Sequence, residues 1–451
     1  MYYDINRFHI CAFISWQLVN FAVGQYIFNI FSTYVPKWRC KNGPATSNCT
    51  IYQECPKEDL TFVDPVFYSA AMEFDWVCGS TVHYQSCFSL IQYLGVLLGT
   101  VLFGALSDRF GRKPIGILII FIASLLYTKR FFSGLSIAGI LVVICAWIME
   151  SILSHQRMVI RGFFNWGWTR VFITVVSFLT KEWRSASYLS AACLIPAFLM
   201  FYFGQTSKMI ESEKFMAKVA GVPYQPVEHK LIHSKTLIET LKTKGLFRKF
   251  SVLWLMWFFV AVCGFANDLN SNTLAGNLYL NQVLFGILLV FSKILLLFVD
   301  SNFENFKRRT LHQGSQALMI ICFSILATFL YNDYHGTGFL ITYLLGTMFI
   351  EDTWDAVYLC AIESMETSSR ASATGSCSMM ARIGSLLAPF LTYANKWWPP
   401  AVYITIIGLG TVNLLISYFF LQETKNVNLD DVHVNDKEDL PKKVPMVQAT
   451  S

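Results

Sequence analysis

Charge is what this sequence has least of. Only 14% of its 451 residues are Asp, Glu, Lys or Arg, against about 25% in an average soluble protein. Hydrophobic residues make up 54% and aromatic residues 16%. A soluble fold this apolar could not cover its own surface, so lipid must be the solvent around most of the chain. The net charge is +6, and the basic residues gather in a few loops rather than on one face. That distribution excludes nucleic acid as a partner. Walker, Cys-x-x-Cys and Gly-x-Ser-x-Gly strings are missing, and the eight histidines lack metal-ligand spacing. No enzyme, metal site, cofactor, nucleotide partner or ATP-driven pump is therefore expected. A cleavable leader is not evident either. Asp4 and Arg7 precede an apolar run without a small-residue cleavage site, so the first span is expected to act as a retained anchor.

What the chain does have is long apolar runs. Crossing a bilayer takes roughly 17–25 residues. Candidate spans lie at 10–31, 84–106, 135–153, 157–179, 186–204, 250–266, 278–299, 313–331, 337–362, 372–395 and 399–421, with a shorter run at 115–128 closed by Lys129-Arg130. The expected fold class is an all-α polytopic membrane protein of eleven or twelve spans. Basic residues in short loops set the orientation. Arg109, Arg112 and Lys113 follow the second span, nine Lys/Arg against four Glu fill 205–249, and Lys307-Arg308-Arg309 follows the span at 278–299. All three segments are expected in the cytoplasm. The organisation read from this is a helical half at 1–204 with a large extracellular loop at 32–83, a basic cytoplasmic connection at 205–249, a second helical half at 250–422, and a polar, disordered tail at 423–451. Two halves around a central pathway suit a carrier.

Twelve cysteines divide unevenly. Cys40, Cys49, Cys55 and Cys78 share the hydrophilic loop, and the rest lie in apolar stretches. Four lumenal cysteines suggest two disulfides, with three pairings open. The same loop carries the sequon Asn48-Cys49-Thr50, a glycosylation acceptor if the loop is extracellular.

The eleven-residue string Gly104-Ala105-Leu106-Ser107-Asp108-Arg109-Phe110-Gly111-Arg112-Lys113-Pro114 resembles the signature loop of the major facilitator superfamily. Gly104 is read as permitting close helix approach, Asp108 as meeting a helix N-terminus or a base, and Arg109 and Arg112 as holding the loop inside. Gly111 belongs to the same string. Further segments are similar to the organic ion transporters, the branch carrying organic cations, organic anions and carnitine: Trp38-Arg39-Cys40, Glu73-Phe74-Asp75-Trp76-Val77-Cys78, Leu269-Asn270-Ser271-Asn272-Thr273-Leu274, Cys377-Ser378-Met379-Met380-Ala381-Arg382 and Gln422-Glu423-Thr424-Lys425. The resemblance implies a twelve-helix carrier working by alternating access, in the plasma membrane, with a small organic ion and the lipid bilayer as partners, as a monomer or a homo-oligomer.

The first half departs from that pattern. Arg161-Gly162-Phe163-Phe164-Asn165-Trp166-Gly167-Trp168 resembles a fourth helix, yet Lys181-Glu182-Trp183-Arg184, similar to the turn before a sixth helix, follows it. The fifth helix is then missing and the third too long. A divergent carrier, an alternative isoform and a misread gene all fit. In the second copy of the signature loop, Asp300 stands where expected, but Ser301-Asn302-Phe303-Glu304-Asn305-Phe306 replaces its core.

Ionisable residues inside spans are costly and so are candidates for function. Lys293 and Arg382 lie in apolar spans, and the resemblance implies that they match the basic pair lining the substrate cavity in the organic anion branch. Buried cations offer a fixed positive potential to a carboxylate or sulfonate, and Arg grips it bidentately. Glu351, Asp352 and Asp355 compete: they could couple an ion, bind a cation, or neutralise Lys293 and Arg382. Trp257, Phe258, Tyr358 and Trp168 are candidates for stacking on flat substrates. Glu363 looks like the family's acidic gating residue, with Arg370 as its partner. The leading expectation is an organic anion transporter. A carrier of cations or carnitine-like zwitterions, and a non-transporting isoform that modulates a full-length relative, are the alternatives.

Overall fold

The computed structural model describes residues 7–41, 43–63, 65–126, 129–144, 163–196, 199, 214, 218, 237–242, 246–274, 276–303, 307–364 and 367–421. Most of the 205–249 connection and all of the 423–451 tail lie outside this set. The helices of the first half are α1 (Arg7–Val23), α2 (His83–Phe110), α3 (Arg112–Leu126), α4 (Arg130–Gly139), α5 (Trp166–Thr180) and α6 (Trp183–Ala192). A wider-turn segment, Ile140–Ile144, prolongs α4. The second half contains α7 (Leu246–Asn270), α8 (Leu278–Asn302), α9 (Arg308–Tyr331), α10 (Thr337–Glu363), α11 (Thr367–Ser385), α12 (Ala388–Ala394) and α13 (Ala401–Phe420). Helices α11 and α12 form one pass, interrupted before Pro389, which has no N–H to continue the ladder.

Among the described residues, five helical stretches are long and apolar enough to cross a membrane by length and composition. The others miss that standard for visible reasons. At 15 residues, α3 measures only about 22 Å against a hydrocarbon core of about 30 Å, and α10 carries four acids.

Packing fixes the direction of each helix. A Cβ on Gly134 would sit 2.0 Å from the Gln92 carbonyl and one on Gly99 2.7 Å from that of Leu135, so α4 runs parallel to α2 in close contact. Helix α5 meets α8 glycine against glycine. A Cβ on Gly167 would lie 2.5 Å from the Gly286 carbonyl, and Tyr279 Oη donates to the Ser177 carbonyl at 3.4 Å, so these two run antiparallel. The end of α5 reaches the cysteine loop, where Tyr68 N–H donates to the Lys181 carbonyl at 2.8 Å. Thus α4 leaves that face and α5 returns to it.

This corrects the reading of the first half. The segment at 163–180 is the fifth helix, not the fourth; α4 is the fourth, and no position is empty. The shortened element is α3. With Lys113 and the 205–249 connection both expected in the cytoplasm, the chain must cross an even number of times between them, and the four helices α3 to α6 fit that.

The cysteine loop holds a two-stranded antiparallel ribbon, Trp38–Cys40 with Leu60–Phe62, and disulfides Cys40–Cys55 and Cys49–Cys78, one of the three open pairings. It rests on both halves. Trp183 Nε1 and Arg184 both bind Glu73 at 2.6 Å, and Tyr279 Oη donates to the Val66 carbonyl at 2.7 Å. At the opposite end, Asp300 receives a bidentate pair from Arg308 at 2.6 and 3.2 Å. The altered second signature therefore keeps its acid–base contact.

Candidate functional site

Ionisable side chains inside the helices fall into separate groups. On α10, Glu351 and Asp355 are four apart and share a face, and that face meets Lys293 of α8. Lys293 Nζ donates to Asp355 Oδ2 at 2.5 Å and to the Glu351 carbonyl at 3.0 Å, with the Glu351 carboxylate at 3.8 Å. Asp352, one position round the helix, accepts from Ser292 Oγ at 2.7 Å. Lys293 is only 9% exposed, so these carboxylates are its counter-charge.

A second pair went unnoticed in the sequence. Arg170 of α5 donates to Asp268 of α7 at 2.5 Å and lies 4.0 Å over the Phe285 ring. Its side chain is 2% exposed. This ion pair joins the two halves, and Glu351 interacts with both Arg170 and Lys293. Arg170 lay inside a predicted span, so the rule that flagged Lys293 also covers it; Asp268 fell two residues past a span boundary.

Arg382 of α11 differs. Its Nη1 donates to Tyr26 Oη at 3.1 Å, and the guanidinium lies 5.4 Å from the Tyr26 ring centroid. Its buried Nε has no hydrogen-bond partner, and no carboxylate pairs with it among the described residues. Tyr26 follows α1 in a tight turn, Gly24–Tyr26. Its ring packs edge-on against Phe265 at 4.8 Å and Tyr93 at 5.2 Å. Arg382 thus sits at the seam between the halves, over the Tyr26 ring that Phe265 and Tyr93 hold edge-on.

Among the aromatic candidates, Trp257 and Tyr358 come together. Trp257 stands edge-on to Trp354 at 5.6 Å and 6.0 Å from Tyr358, and its indole N–H is buried without a partner. Phe258 is half-buried where α7 crosses α11, its carbonyl 2.7 Å from the position a Gly384 Cβ would take. Trp168 is separate. It is 44% exposed on the outer stripe of α5 with Val175 and Leu179, and donates to the Phe163 carbonyl at 3.0 Å.

In the signature loop the chain turns at Gly111, with φ +88°, and Arg109 lies over the Phe110 ring at 5.5 Å. Gly104 is not a close approach: a Cβ there would meet Val142 at an ordinary 3.8 Å. The side chains of Asp108, Glu363 and Arg370 lie outside the described residues. Arg112 is half-buried at the start of α3.

Comparison with known proteins agrees with this architecture. A family model described as "Sugar (and other) transporter" matches residues 40–435. An uncharacterized Caenorhabditis elegans protein is 32% identical over 97% of this chain and 96% of its own length. The Drosophila melanogaster "Organic cation transporter protein" is 26% identical, covering 85% of this chain and 76% of its own. The Xenopus laevis "Solute carrier family 22 member 6-A" is 24% identical, covering 90% and 78%. A solved structure of the proton:xylose symporter XylE superposes with a TM-score of 0.64 at 14% identity, covering 94% of this chain and 98% of that one. The chain is a multi-pass membrane transporter with the major facilitator fold, not an enzyme, and belongs to the sugar (and other) transporter family.

Proposed function

We propose that the protein carries small organic anions across the plasma membrane by alternating access, with Arg382 gripping the substrate's carboxylate or sulfonate. The observation that carries this reading is the contrast among buried cations. Lys293 and Arg170 are already neutralised by carboxylates, whereas Arg382 has a phenol hydroxyl and a spare N–H at the seam between the halves. A guanidinium with donors left over suits an incoming anion. Tyr26, Tyr93 and Phe265 add flat faces for an aromatic substrate. Lys293, Trp257, Phe258 and Tyr358 brace the cavity wall in this reading, and Glu363 with Arg370 gates its cytoplasmic end. The cysteine loop faces outward, glycosylated at Asn48, and the basic ends of α8 and α9 face the cytoplasm.

A cation carrier is the second reading. It rests on Glu351, Asp352 and Asp355, three acids around the single ammonium of Lys293, and the printed name of the Drosophila relative favours it. Uptake by the purified full chain in liposomes separates the two, using a labelled aromatic carboxylate and labelled tetraethylammonium. The anion reading expects carboxylate uptake that Arg382→Met abolishes and Arg382→Lys partly restores. Tetraethylammonium uptake indifferent to Arg382 overturns it. Uptake of neither would favour a non-transporting role.

A further inference from the structure

Deep in the first half lies another buried arginine, which the transport reading does not use. Arg130 opens α4, and it is 5% exposed. Its guanidinium is enclosed by the rings of Phe88, Phe28 and Trp183 at 4.8, 5.1 and 5.8 Å. Among the described residues its side chain makes one hydrogen bond, from Nη1 to Gln25 Oε1 at 3.4 Å, long for such a bond. Nε and Nη2 have no partner. Around it, Gln25 Nε2 and Ser133 Oγ are also buried without partners, and Gln25 and Ser133 are 0% exposed. No carboxylate pairs with Arg130 among the described residues. Glu73, on the loop above, already receives Trp183 Nε1 on one oxygen and Arg184 on the other.

A buried cation with no counter-charge is costly, and aromatic faces offset only part of that cost. The first turn of α4 adds the positive end of a ten-residue helix. The donors and the charge all ask for the same thing. We infer that the Arg130 cluster binds a small inorganic anion, a halide such as chloride, held by Arg130, Gln25 and Ser133 inside the amino-terminal half and apart from Arg382.

Thermal unfolding of the purified full chain in detergent tests this, comparing chloride with gluconate at equal ionic strength. Chloride should raise the midpoint by roughly 2–4 °C. Arg130→Met should remove the shift, and Arg382→Met should keep it. If Arg130→Met does not fold, Gln25→Leu and Ser133→Ala retain the cation and remove donors, and each should weaken the apparent chloride affinity about tenfold. Equal midpoints in both salts overturn the inference. So does a shift that survives Arg130→Met, or one that Arg382→Met abolishes, since the halide would then sit at the substrate cation.

Discussion

Lys293 offers the sharpest separation of bracing from binding. Its amine touches Asp355 at 2.5 Å and the Glu351 carbonyl at 3.0 Å, almost out of reach of water. Lys293→Met strands the Asp355 carboxylate in low dielectric, and breaking a buried pair from one side costs about 3–5 kcal/mol. Removing both partners, in Lys293→Met with Asp355→Leu, takes away the closest pair together and leaves Asp352 its hydrogen bond from Ser292. Replacing a buried pair by apolar groups is neutral or stabilising by about 1–4 kcal/mol. Glu351 still interacts with Arg170 in that double variant. The single variant should therefore unfold several degrees early and reach the membrane poorly, with the double variant recovering both. Arg382→Met, which strands no acid, should fold normally and lose anion uptake. Tryptophan fluorescence during heating, surface protein and uptake per surface molecule are the three readings. A Lys293→Met protein that is stable but transport-dead would refute the brace and make Lys293 a substrate contact. A double variant no better than the single would refute the pairing.

Asn48 sits exposed at the start of a short helix, its Oδ1 accepting from Thr50 N–H at 2.9 Å. Asn48→Gln should abolish a gel shift that enzymatic deglycosylation produces in the parent. In the same loop, burial pushes the Asp75 carboxyl up, but hydrogen bonds from Lys57 and Tyr52 outweigh it and hold Asp75 below its ordinary value. A depressed folded value means that the contribution is present above about pH 4 and lost as pH falls through the folded value. Hydrogen exchange across residues 49–81 should therefore quicken below pH 4, and Asp75→Asn should flatten that dependence. Gly167→Ala would put a Cβ 2.5 Å from the Gly286 carbonyl, and backbone cannot swing aside. The expected cost is about 1–3 kcal/mol, read as a lower unfolding midpoint; an unchanged midpoint would show that α5 and α8 separate freely.

Much of this fold was legible because apolar length and basic loops are local signals. The long helices of the second half needed no partner information. The first half misled for a physical reason. Hydropathy measures how apolar a run is but not which way it points, and α3 is too short to register as a full crossing. Lys129-Arg130 looked like a polar stop, yet Arg130 is buried because three aromatic rings enclose it. Disulfide pairing depended on how the ribbon folds back, which spacing does not reveal. The site was legible residue by residue and not as a set. Arg170 finds Asp268 across 98 positions, and nothing nearby in sequence says that Lys293 would be neutralised while Arg382 would not.

That asymmetry has a kinetic consequence. Arg170 is paired with Asp268 and Lys293 with Asp355 and Glu351, so the charge at both sites is met whether or not substrate is bound. If the substrate is the proposed anion, Arg382 is balanced only when it is bound. An empty carrier must carry an uncompensated guanidinium through the occluded state, at a cost on insertion scales of about 2.5–3.5 kcal/mol. Even if the phenol of Tyr26 offsets half of that, the empty return should be slower than the loaded one by roughly tenfold. Loaded traffic then outruns empty traffic, and the carrier favours exchange over net flow. Preloading liposomes with unlabelled carboxylate should accelerate entry of the labelled form several-fold. In Arg382→Gln, which removes the charge and keeps a donor, residual uptake should lose that acceleration. Equal entry into empty and preloaded liposomes by the parent protein would show that the Arg382 charge is screened when the site is empty, and the argument from buried charge would fail.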